Sequence, residues 1–211
     1  MAGANRRKTQ CDVIFTSVAC LELDAKKKRW SYQERDEDER AVWLTEVAKI
    51  AEADRVYVDE MGCDDRVQRE YGWSPRGEPC VDQRAGHATK RLSVVAAWHR
   101  HSEQHGEPHG LMAALIFDGT CHHRLFEVWL RLMLCPLLRP GQVVILDNAR
   151  FHRKAAVQRQ LRRAGCRALF LPSYSPDLNP IEHQWHPCKT RVRTHRAHGM
   201  EFKQAFEAAL L

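Results

Sequence analysis

Two short apolar runs that each close on an acid constrain this chain most. Gln142–Asp147 (QVVILD) carries the strongest strand signal in the sequence, and Arg55–Glu60 (RVYVDE) has the same pattern, a β-branched and aromatic centre ended by acids. Such runs read as buried strands in the middle of a sheet. Val67–Trp73 (VQREYGW), Arg91–Trp98 (RLSVVAAW), Leu111–Phe117 (LMAALIF) and Arg167–Leu171 (RALFL) read as further strands, the first stopped by the turn residues of SPRGEP. Helical spacing is predicted over 41–53, where Val42, Leu44, Val47, Ala48 and Ile50 recur, and over 121–138, with Pro140-Gly141 as the stop. Further helices are expected over 154–164, closed by Gly165, over a stretch starting at Asn179-Pro180 as cap and first turn, and over 200–211. Strands in a row can pair as antiparallel hairpins, whereas strands separated by helices need crossovers. The expected fold is α/β: a mixed sheet of five or slightly more strands with helices on both faces.

At 211 residues there is room for one domain with a short added arm. Hydrophobic residues make up 44% and charged residues 28%, which excludes a mostly disordered chain and a fibre. No stretch approaches about 18 uncharged apolar residues, so no membrane-spanning helix is expected. The N-terminus is basic and then briefly apolar, but Asp12 and Glu22 bracket that run and no signal peptide is read. The eight cysteines form no CxxC pair, and they are read as reduced thiols of a cytosolic protein, mostly buried small hydrophobes. The histidines 99, 101, 105 and 109, and the Cys121-His122-His123 run, fit no zinc pattern.

The net charge of +6 is unevenly spread. From Arg139 to His198 there are twelve Lys/Arg and three acids, Asp147, Asp177 and Glu182. A basic field around a few isolated carboxylates suits a polyanionic partner. Asp59 and Asp147 close strands that are expected to be central, and ligands of open α/β sheets bind at such strand ends. Glu182 stands at the third position of the helix expected to begin at Pro180. The 34 intervening residues (148–181) suffice for a helix, a strand and a return loop that bring Glu182 to Asp147. Singly, each acid is explained by turn or helix-start chemistry. Together, three converging carboxylates repel one another unless cations neutralise them, and an oxygen-only donor set suits Mg²⁺ or Mn²⁺. Two such ions clamp the attacking and leaving oxygens of a phosphoryl displacement.

The stretches VYVDEMGCDD, REYGWSPRGEP, LDNARFH and LFLPSYSPDLNPIEHQW, in this order from about residue 26 to the C-terminus, resemble the catalytic domain of mariner-related bacterial insertion-sequence transposases. YSPDLNPIE is the most specific piece, and the 34-residue gap agrees with the spacing of this group. The resemblance implies a DDE-type endonuclease with a ribonuclease-H-like fold over 26–211, preceded by an unassigned arm, 1–25. It implies Asp59, Asp147 and Glu182 as the metal-binding catalytic triad. It further implies cleavage at transposon ends, transfer of the freed 3′-hydroxyl to target DNA, a homodimer assembled on DNA, and a cytoplasmic, nucleoid-associated protein. About 25 residues precede the match, fewer than the helix-turn-helix region of full-length relatives needs, so end recognition is expected to come from another chain, to be lost, or to lie in a longer protein of which this is a fragment; a DNA-binding remnant without catalysis is the alternative reading.

Around the triad, Glu60 is expected on the opposite strand face and is not assigned to the metals. Asn148 is either a hydrogen-bonding neighbour of the site or a plain turn residue. His152 either orients a phosphate or a catalytic carboxylate, or is a helix-start histidine with a backbone partner. Arg150, Arg153, Lys154, Lys189, Arg191 and Arg193 are candidates for DNA contact, and an exposed basic helix face explains Lys189 and Arg191 equally well. Trp185 is assigned to core packing. Pro187 is expected to break the helix that carries Glu182, because proline lacks the N–H and clashes with the carbonyl four residues back, at His183.

Overall fold

Five strands share one sheet in the order β3-β2-β1-β4-β5 in a computed structural model that describes residues 32–69, 71–83, 86–100 and 110–210. The strands are β1 (Arg55–Asp64), β2 (Arg91–Trp98), β3 (Leu111–Asp118), β4 (Val143–Leu146) and β5 (Arg167–Phe170). β1, β2 and β3 pair antiparallel, while β4 and β5 join β1 in parallel, giving the mixed sheet expected. The arm 1–25 and the histidines 101, 105 and 109 lie outside the described residues. No described helix is long and apolar enough to cross a membrane.

The helices are α1 (Glu37–Ala48), α2 (His123–Trp129, continued by a π turn Leu130–Leu134 and a 3₁₀ turn Cys135–Leu137), α3 (Lys154–Arg163), α4 (Glu182–Ala197) and α5 (Phe202–Ala208). They form two layers. Tyr57, Met61, Val143 and Ile145 pack with Trp43, Val47, Trp185, Val192 and Phe206 from α1, α4 and α5. Val56, Val58, Val144 and Leu146 pack with Phe126, Trp129, Val157 and Leu161 from α2 and α3. The two strand sets alternate in sequence, as the two-residue period of a strand requires when both faces are covered.

Several expectations change. The helix predicted over 41–53 starts at Glu37, capped by the Asp36 carboxylate accepting from the N–H groups of Asp38 and Glu39. Its buried stripe is Arg40, Trp43 and Val47, with Ile50 following, and Val42 and Leu44 face solvent. Val67–Trp73 is not a strand. Its described residues carry no apolar face that a sheet would bury, and Tyr71 and Trp73 stand exposed. β1 runs four residues past Glu60, so Asp59 lies within the strand rather than at its end. Asn179 does not cap α4. Three i→i+3 bonds lead in, and Ile181 precedes the first residue, Glu182, without a side-chain cap. α4 also runs unbroken through Pro187 to Ala197.

Candidate active site

Unequal strand lengths make the site. β1 pairs with β4 only through Arg55–Tyr57, whereas it pairs with β2 as far as Asp64. Where β4 ends, the β4-side edge of β1 opens and a notch forms beside Asp59. The register Tyr57↔Ile145, continued two residues, brings Asp147 level with Asp59. In parallel strands, residues at one level share a face. α4 begins across the same notch with Glu182.

Trp185, one turn into α4, donates its indole N–H to Asp59 Oδ2 at 2.7 Å. The residue expected only to pack is buried and also holds a catalytic candidate. Asn179 is buried and donates Nδ2–H to the Val58 carbonyl at 3.2 Å, tying the loop before α4 to the strand residue preceding Asp59. The helix-cap signal at Asn179 was therefore a sheet anchor.

Asp147 is held on one oxygen. Its Oδ1 accepts the Ala149 N–H at 3.1 Å and the His152 Nε2–H at 3.1 Å, and no described residue hydrogen-bonds Oδ2. His152 is buried, with its ring centroid 4.2 Å from those of Phe126 and Phe151. His152 thus contacts the candidate carboxylate of Asp147 through its ring. Glu60 does face the other layer, but its Oε1 lies 3.7 Å from the same His152 Nε2 and has no hydrogen-bond partner. A Glu directly after the first Asp, together with a His five residues after the second, was the sequence signal for this pairing. Asn148 is exposed.

The charges register one another. Burial, opposed by the Trp185 bond and assisted by the charges of Glu182 and then Asp147, raises the Asp59 carboxyl to about 7. Burial, with Asp59 and Asp147 adding to it, lifts Glu60 well above the usual carboxylate range. At Asp147 burial pushes upward, but the bond and charge of His152 and the Ala149 N–H outweigh it and the carboxyl falls below its ordinary value. Thus the charges of Glu182 and Asp147 both reach Asp59. Among the described residues, however, no three His, Cys, Asp or Glu side chains stand close enough to enclose a metal ion. The donor set, two aspartates and one glutamate, fits a hard divalent cation in its chemistry.

The basic candidates divide. Arg153 is committed to a bidentate pair with Glu127 at 2.7 and 3.0 Å, and Arg191 Nε donates to the Ala209 carbonyl at 2.8 Å. Lys154 Nζ lies 5.1 Å over the Phe170 ring. Arg150 is exposed, Lys189 and Arg193 are half-buried on α4, and Arg193 lines a cavity of about 330 Å³ with Arg69, Tyr71, His186, Thr190 and Thr194.

The sequence pattern of the DDE superfamily endonucleases matches residues 54–201. The Tc1 transposase of Caenorhabditis elegans is 33% identical over 88 residues, which cover 42% of this chain and 32% of that protein. Among solved structures, the Mos1 strand transfer complex superposes with a TM-score of 0.60 at 15% identity, covering 94% of this chain and 65% of that one. The mariner Mos1 paired-end complex with Mg gives 0.59 at 20% identity, covering 83% and 55%. These likenesses place the fold in the ribonuclease-H-like class. The chain spans about a third of the length of Tc1 transposase and less than two thirds of the Mos1 chains. With the family pattern running from just before β1 to just past α4, the chain belongs to the DDE superfamily endonucleases.

Proposed function

We propose that this chain is the catalytic core of a transposase, a metal-dependent endonuclease and strand transferase acting on the ends of an insertion sequence. The observation that carries the reading is geometric: the β1–β4 register sets Asp147 level with Asp59, and the Trp185 bond brings the first turn of α4, which Glu182 opens, to the same carboxylate. Residues from a strand, a strand end and a helix start, 59, 147 and 182, thus share one site at the notch of the sheet. The Mos1 paired-end complexes solved with Mg and with Mn support the choice of cation class.

Asp59, Asp147 and Glu182 would hold two Mg²⁺ or Mn²⁺ ions. Once bound, such ions supply Lewis acidity and a water that ionises near neutral pH. The chain's own residues prepare this site. His152 and the Ala149 N–H hold Oδ1 of Asp147 and leave Oδ2 unbonded, and Trp185 fixes Oδ2 of Asp59. Arg150, Lys189 and Arg193 supply positive charge for the phosphodiester backbone. The substrates are transposon-end and target DNA, the working form is a homodimer on DNA, and the setting is the cytoplasm.

The test is supercoiled and end-bearing DNA incubated with Mg²⁺ or Mn²⁺. Nicking by the wild type that disappears in Asp147→Asn supports the reading, and nicking that persists in that variant removes Asp147 from the site. DNA binding without cleavage under either ion would identify an idle remnant instead.

A further inference from the structure

Glu182 is the least secured of the three carboxylates. Its side chain is exposed, and no hydrogen bond or ion pair from a described residue holds it. α4 has no side-chain cap that would fix its first turn. The position of Glu182 is therefore set by the loop that delivers the helix, and that loop is gripped from outside the sheet. Arg40 of α1 donates Nη1–H to Asp177 Oδ1 at 3.1 Å and Nη2–H to Asp177 Oδ2 at 2.9 Å, across 137 residues of sequence. Asp177 sits in the 3₁₀ turn Pro176–Leu178. From there the Asn179 N–H bonds the Pro176 carbonyl at 2.9 Å, and the Glu182 N–H bonds the Asn179 carbonyl at 3.2 Å. A continuous hydrogen-bonded path leads from Arg40 to the backbone of Glu182.

The chemistry of this grip argues for placement rather than adhesion. Arg40 is 6% exposed, so its guanidinium has left water. An apolar residue at that point of the α1 stripe would join Trp43 and Val47 in the core without desolvating a charge, and buried ion pairs are often no more stabilising than apolar replacements. A planar two-bond pair does something an apolar contact does not: it fixes distance and orientation together. Arg35 Nη2, 3.6 Å from Asp177 Oδ2, and Glu37 Oε2, 3.4 Å from Arg40 Nε, complete the charge pattern around it.

We propose that Arg40 is a positioning residue for Glu182, acting through its bidentate grip on Asp177 to hold the loop 175–181 and hence the third carboxylate of the notch. The inference rests on the metal-site reading of the notch. The test uses the full chain without DNA and titrates Mn²⁺ by electron paramagnetic resonance in wild type, Arg40→Gln, Arg40→Lys and Asp177→Asn. Thermal midpoints and the Kd for duplex DNA are measured alongside. Loss of an outer partner typically weakens a metal site by at least about tenfold, so Arg40→Gln and Asp177→Asn are each expected to weaken Mn²⁺ binding about tenfold, with Arg40→Lys between them and wild type. The duplex Kd should stay within about twofold, because no phosphate-contact candidate is touched. Wild-type Mn²⁺ affinity in either Arg40→Gln or Asp177→Asn overturns the inference. Should Arg40→Gln fail to fold, Asp177→Asn, whose side chain is half-exposed, carries the test alone. Absence of Mn²⁺ binding in the wild type itself overturns the metal-site reading and this inference with it, whereas wild-type binding with unaltered variants overturns only the role of Arg40.

Discussion

The indole N–H of Trp185 reaches Asp59 Oδ2 at 2.7 Å, joining the first turn of α4 to the middle of β1. A hydrogen bond to a carboxylate favours the ionised form, and this one opposes the burial that raises Asp59. Trp185→Phe keeps most of the ring in the core and removes the donor. The Asp59 carboxyl should then rise further, and the pH at half-maximal Mn²⁺ binding should move upward. At about 1.5–3 kcal/mol for a bond to a charged group, cleavage near neutral pH should fall about tenfold or more. A folded variant with an unmoved pH profile would contradict the assignment.

Asp59 also predicts a pH-dependent stability in the metal-free protein. Its folded value, about 7, lies above the ordinary 3.8, so the native state binds the proton more tightly than the unfolded chain does. Below about pH 4 both states are protonated and nothing is lost. As pH rises from there through 7, folding must accept a partly buried charge and stability falls. Asp59→Asn removes that penalty, so it should stabilise the metal-free chain at pH 8 by about 1 kcal/mol or more and leave it unchanged near pH 4. Denaturant melts at the two pH values read the difference directly.

His152 separates packing from ligand orientation. His152→Ala should destabilise the chain by about 2–4 kcal/mol, since a buried ring wedged between Phe126 and Phe151 leaves a cavity. His152→Phe refills that volume but donates nothing to Asp147 Oδ1. It should restore most of the stability while Mn²⁺ affinity stays down about 10- to 100-fold. Recovery of Mn²⁺ binding in His152→Phe would make the histidine a packing residue only.

Pro187 is exposed, and α4 passes through it with one backbone bond missing opposite the His183 carbonyl. Pro187→Ala should therefore stabilise the protein by about 1–3 kcal/mol, a rise of several degrees in thermal midpoint at about 2–4 °C per kcal/mol for a chain of this size. An unchanged midpoint would mean that the helix has already adapted to the ring at no cost.

How far the fold could be read from the chain depended on how local each signal was. QVVILD and RVYVDE declared central strands because a strand covered on both faces is apolar throughout. VQREYGW has the β-branched and aromatic residues of a strand but polar ones between them, and with Tyr71 and Trp73 exposed its described residues join no strand of the sheet. In α1 the apolar residues Val42 and Leu44 suggested the wrong face. The buried stripe includes Arg40, whose burial is intelligible only once Asp177 is placed beside it.

The candidate site was legible to the extent that acids at strand and helix boundaries follow a spacing rule, and YSPDLNPIE marks the approach to Glu182. Its supports were not. Asn179 looked like a helix cap because that is the nearest use for its side chain, but its partner is the carbonyl of Val58, 121 positions away. Glu60 looked irrelevant because strand alternation turns it from Asp59, and that is correct. It meets the site from the other layer, where His152 stands between it and Asp147.

From the order of its residues alone, this chain carries its strands, most of its helices and the three acids proposed for its chemistry. These follow from short-range preferences and from the alternation that burial imposes. Tertiary structure decided that β4 stops where β1 continues, opening the notch, and which side chains orient the carboxylates there. The bonds of Trp185 to Asp59 and of Asn179 to Val58 join residues more than a hundred positions apart, and their energies exist only once the layers have closed over the sheet and excluded water from between them.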